Sequence, residues 1–144
     1  MTLQGLDSVA EASNAGFTAQ ETHNAGLTDT AFEAGRVFVT DYAPLKDFVN
    51  SSVGGTNKFV YWPSVLYELP SGATPDEPGV ARPIAIKIRA NGSPDVFVTP
   101  NNADLWLKAK IIVGNAGANV ATCQTLRANV SAVHRMIWMQ TLRT

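Results

Sequence analysis

The sequence contains a single cysteine, Cys123, and two histidines, His23 and His134. One thiol excludes an internal disulfide and a Cys-rich zinc site, and two imidazoles leave little from which to build a histidine metal centre. Charge is also sparse, at 16% of 144 residues with a formal net of −1, whereas hydrophobic residues make up 45%. That balance belongs to a globular chain, because enough apolar surface exists to offset the entropy of ordering it. No apolar run approaches the roughly 18 residues that a membrane span needs. The first residues carry Asp7 and Glu11 and no Lys or Arg, unlike a secretory signal, so a cytoplasmic protein is expected. The length is that of one domain, most often about 100–150 residues.

The near-zero net charge conceals an asymmetry. Before Arg36 the chain has Asp7, Glu11, Glu21, Asp29 and Glu33 and no base; after Asp104 it has Lys108, Lys110, Arg127, Arg135 and Arg143 and no acid. A basic end can mark a nucleic-acid footprint. These bases are too thinly spread for that and lack interleaved aromatics, so no nucleic-acid partner is expected. Either the two ends face each other or both are simply solvated.

What is present organises into an α+β pattern: weak helices, then an antiparallel hairpin region, then helices. Leu3, Leu6 and Val9 can start a short helix, and the segments 18–26 and 27–35 resemble each other faintly. Each reads as a short helix closed by a glycine, Gly26 and Gly35, the second capped at Thr28 or Asp29. No tandem repeat or linker stands out. Residues 36–42 are β-branched and aromatic, which predicts a strand. Pro44 opens a turn through Leu45 and Phe48, and 51–57 reads as a loop around Gly54 and Gly55. Strands are expected at 58–62 and 65–69, and a loop at 70–79. In 83–89 the two-residue period places Ile84, Ile86 and Ile88 on one face, and Asn91-Gly92 turns that strand back into 95–99. Leu105, Trp106, Ala109, Ile112, Val113 and Ala116 then follow at helical spacing, weakened at the far end by Gly114 and Gly117. A further helical stripe holds Leu126, Val130, Val133 and Ile137.

Residue chemistry alone assigns no catalytic, cofactor-binding or metal-ligating residue. Gly54-Gly55-Thr56-Asn57-Lys58 lacks the Gly-Lys-Ser/Thr ending of a phosphate loop. His134 with Ser131 or Cys123 lacks a strained nucleophile turn, and Cys123 reads as a small packing residue. Asp76 and Glu77 read as solvated loop charges, and His23 as exposed. Asn50, Asn91 and Asn129 head glycosylation triplets, which carry no weight without a secretory signal.

Five blocks in order nevertheless carry a resemblance. They are Gly-Arg-Val-Phe-Val-Thr-Asp-Tyr (35–42), Lys-Phe-Val-Tyr-Trp-Pro-Ser-Val-Leu-Tyr (58–67), Arg-Pro-Ile-Ala-Ile-Lys-Ile (82–88), Val-Phe-Val-Thr-Pro (96–100), and Trp-Leu-Lys-Ala-Lys-Ile-Ile-Val followed by Asn-Ala-Gly-Ala-Asn (106–119). Over about 30–119 the chain resembles the lipoxygenase catalytic domain. The resemblance implies a segment of a mostly helical domain several times longer than this chain, holding non-haem iron and dioxygenating polyunsaturated fatty acids. Imidazole and carboxylate ligands suit such a metal with a position left open.

In that family a His-x4-His-x4-His run follows the last block on one long helix, and two of its members bind iron. Here the three positions fall on Ala121, Leu126 and Ser131, the usual preceding acidic residue is Gly117, and His134 lies three residues past the third position. The expectation is therefore a single partial lipoxygenase-like domain over 1–144 whose 120–144 tail diverges from the family. It would be inactive and hold no cofactor in this chain, either as a truncated product or as a metal-free binding or scaffold protein. A fatty acid is a partner by family only. A fragment should leave Trp62, Ile84, Ile86, Ile88, Trp106 and Ile112 uncovered and the strands at 58–62 and 83–89 with open edges, which predicts self-association.

Overall fold

Three short helices stand near the start of the fold, each closed by a glycine-containing turn and the first two also capped by a side chain at their N-terminus. A computed structural model describes the backbone of residues 3–72 and 79–141, with side chains as far as Gln124. Helix α1 (Val9–Asn14) begins after Ser8, whose hydroxyl accepts from the Glu11 N–H. Helix α2 (Ala19–Asn24) has a full capping box between Thr18 and Glu21. Helix α3 (Asp29–Glu33) starts at Thr28, which makes no side-chain cap bond. Each ends alike: the N–H of Phe17, Leu27 and Arg36 reaches back to the carbonyl of Ala12, Thr22 and Ala31 at 2.9, 3.1 and 3.1 Å. That is the bond of a glycine-terminated helix, and Gly16 and Gly26 supply the left-handed backbone it needs, at φ 88° and 84°. Gly26 and Gly35 close helices as expected. The sequence pattern missed the first unit, so the pair of segments is in fact a row of three.

Of Leu3, Leu6 and Val9, only Val9 starts a helix, as the first residue of α1. Gln4–Leu6 is a strand, β1, pairing antiparallel with β2 (Val37–Asp41) through Gln4↔Val39 and Leu6↔Val37. After a single 3-10 turn at Ala43–Leu45, Ser51–Val53 (β3) and Thr56–Lys58 (β4) form a separate hairpin across Gly54-Gly55, where a loop was expected. The expected strand at 58–62 is absent: Lys58 ends β4, and beyond it Tyr61 makes only an isolated bridge to Ala90. Pro63, which has no N–H to donate, follows directly. Strands β5 (Ser64–Glu68), β6 (Arg82–Ala90) and β7 (Ser93–Val98) complete an antiparallel sheet of order β1-β2-β5-β6-β7. The Asn91-Gly92 hairpin forms as predicted, with Ile86↔Val98 and Ile88↔Val96. Asp76 and Glu77 lie outside the described residues.

Both faces of the sheet are covered. Against one, α1–α3 bury Phe17, Leu27 and Phe32 with Leu6, Val37, Val39, Leu66 and Ala85. Against the other lies α4 (Ala103–Thr141), burying Ala109 and Ala116 with Tyr42, Leu45, Val65, Ile86 and Val98. The two helical stripes expected near the C-terminus belong to this one helix, which at 1.5 Å per residue is about 58 Å long. Leu105, expected in the apolar stripe, is 42% exposed. The last described residue packed on the core is Val120.

Three expectations about surface change accordingly. Ile84 does not share a face with Ile86 and Ile88. The register slips from Leu66↔Ala85 to Tyr67↔Pro83, and this bulge turns Ile84 toward the α1–α3 side. Ile86 is fully buried and Trp62, Ile84, Ile88, Trp106 and Ile112 are partly so, because the chain's own helices cover both faces. Strand β6 lies between β5 and β7, so the sheet's edges are β1 and β7. Among the described residues no helix is long and apolar enough to cross a membrane.

Candidate functional site

The positions singled out by the resemblance fall on α4. Gly117, Ala121, Leu126, Ser131 and His134 all lie within its single run, the last three beyond the described side chains. Gly117 sits where α4 passes close to Tyr42: a Cβ there would meet the Tyr42 hydroxyl oxygen at 3.4 Å. Tyr42 is buried, its hydroxyl pKa pushed up by burial and then by the neighbouring Tyr67. Burial also raises Tyr67, against a hydrogen bond with Thr40 that works the other way. The corner beneath α4 is thus a group of neutral hydroxyls from β2, β5 and the turn after β2.

Neither Gly117 nor Ala121 carries a side chain that can donate to a metal. Among the described residues no group of three His, Cys, Asp or Glu side chains could hold one. The described residues at these positions, Gly117 and Ala121, do not fit iron. The other sequence candidates are scattered: His23 is exposed in the last turn of α2, and Cys123 is exposed on α4 rather than packed. One groove lies beside the helix, of about 310 Å³, between Phe59 and Tyr61 on one wall and Ile112, Asn115 and Asn119 on the other.

A polar cluster on the opposite face escaped the sequence analysis. Lys87 of β6 is only 7% exposed. Its ammonium donates to the Gly16 carbonyl at 2.7 Å and to the Glu21 carboxylate at 2.9 Å, with the Phe17 ring centroid at 6.0 Å. Arg89, two residues on, donates to the Ala15 carbonyl at 3.0 Å and pairs with Asp41 and Asp95. Burial lifts the Glu21 carboxyl. The Lys87 hydrogen bond, the Thr18 N–H, the Lys87 charge and the Thr18 hydroxyl together outweigh burial and hold it below its ordinary value. A buried lysine with a shifted carboxylate partner is the pattern of an active site. Here the ammonium is spent on a carbonyl and on the acid that caps α2, so the cluster clamps the helices to the sheet. The alternation Ile-Lys-Ile-Arg in 86–89 put both cations on one strand face; what it could not show is that the end of α1 lies against them.

Compared with known proteins, the chain matches no family model and no curated protein.

Proposed function

We propose that the chain is a lipoxygenase-type unit, a fragment or degenerate relative of a non-haem iron dioxygenase of polyunsaturated fatty acids, and that it turns over no substrate as it stands. One observation carries the reading. The five blocks of resemblance appear in family order, and each contributes to the core under α4: Tyr42, Val65, Ile86 and Val98 from the first four, and Ala109 and Ala116 from the fifth. Residues that carry a likeness and also build one shared core are what a common framework leaves behind. Inactivity follows from the donor set. Ala121, Leu126 and Ser131 stand at the family's histidine positions, and aliphatic or hydroxyl side chains do not replace imidazole on iron. No step is therefore routed through a metal.

The second reading is a metal-free binding or scaffold protein built on the same remnant, favoured by Leu107 and Ile111, 57% and 56% exposed on α4. The gene separates the two. If the chain is a truncated or frameshifted dioxygenase, the nucleotides past the Asn119 codon encode a His-x4-His-x4-His run in another reading frame. A gene with no such run in any frame contradicts truncation and leaves the metal-free protein.

A further inference from the structure

Among the described residues, the acids at the beginning of the chain do not meet Lys108 and Lys110 of its basic end. Helices α1–α3 lie against one face of the sheet and α4 against the other. Each side carries unpaired charge: among the described residues Asp7, Asp29, Glu33, Lys108 and Lys110 form no ion pair. On α4, Leu107 and Ile111 stand one turn apart and more than half exposed. At about 100° per residue Lys108 and Lys110 flank them on either side, giving an apolar ridge with a cation along each flank. On the far side of the molecule a groove of about 300 Å³ runs between α1 and α3. Asp7, Asp29 and Glu33 rim it, and Val9 and Phe32 contribute apolar lining.

We infer that the α4 ridge of one copy docks into the acidic groove of a second copy, head to tail. The cations beside the ridge and the acids of the groove are opposite in sign, and the two surfaces lie on opposite faces of the sheet, so they can meet only between molecules. Such a contact is heterologous: the same two surfaces remain free at the ends of each pair, and assembly continues into a ring or an open chain. It is also salt-sensitive, because exposed ion pairs are screened within about 10 Å at 0.1 M salt. The inference stands apart from any relation to lipoxygenases.

Sedimentation velocity of the full chain tests it. At about 20 mM NaCl and tens of micromolar protein, the mass should exceed the monomer's at least two-fold, and at about 0.5 M it should return to the monomer's. Lys108→Glu with Lys110→Glu should be monomeric at low salt, as should Asp29→Lys with Glu33→Lys. An equimolar mixture of the two variants should assemble again, since each then offers the other a complementary surface. A monomer at low salt, assembly that persists in either variant, or variants that stay apart when mixed would overturn the inference. The salt response of the unaltered chain decides independently of how well a variant folds.

Discussion

Gly16 carries two constraints at once. Its φ of 88° is one that a side chain rarely adopts, and a Cβ there would run into the Arg89 guanidinium. Arg89 has little freedom to withdraw, being tied to the Ala15 carbonyl and to Asp41 and Asp95. Gly26 has the same backbone and open space around it. Gly26→Ala should therefore cost about 1 kcal/mol, for backbone strain alone, and Gly16→Ala about 2–3 kcal/mol. Urea denaturation of the two variants measures the difference; equal losses would mean that Arg89 moves aside freely. At Gly117 the constraint is milder, a close approach of α4 to Tyr42 at ordinary helical backbone.

At the scale of elements, the join between α2 and β6 rests on Glu21. One carboxylate oxygen accepts from both the Thr18 N–H and Lys87. Because the folded pKa of Glu21 is depressed, its contribution is present above the ordinary glutamate range and lost as pH falls through the folded value. Stability should decline from about pH 5 downward. Glu21→Gln should lower stability at pH 7 by roughly 1–3 kcal/mol and flatten that decline. Denaturant titrations between pH 7 and 3 read both effects, and a slope unchanged by the substitution would show that other carboxylates set the acid limit.

This is also the scale at which the limits of sequence reading show. The β6–β7 hairpin was legible because Asn91-Gly92 dictates its own turn, and the caps at Gly26 and Gly35 because a helix end is written locally. Strand β1 was not: its three residues become a strand only because Val37 and Val39, some thirty positions on, offer an edge. The flip of Ile84 depends on how Leu66 and Tyr67 pair with β6, and the burial of Lys87 on where the end of α1 comes to rest. The candidate site was legible only as helix positions. The close approach of Gly117 to Tyr42 joins residues 75 positions apart, and no local pattern encodes it.

The described residues form a five-stranded antiparallel sheet with three short helices on one face and the first part of a long helix on the other, beside a separate β3–β4 hairpin. Each face has its own core, so the chain's helices cover its strands. Past Val120 the balance changes, since residues 121–124 are all exposed. Ala121, which the resemblance would align with the first histidine of the lipoxygenase run, lies on this stretch. The framework we propose is of lipoxygenase type and holds none of the family's metal. Its most direct test is metal content measured together with oxygen uptake, on protein purified with ferrous iron supplied and then given linoleate. The account predicts no stoichiometric iron and no oxygen consumption above the protein-free rate. One iron per chain with formation of the fatty-acid hydroperoxide would contradict it.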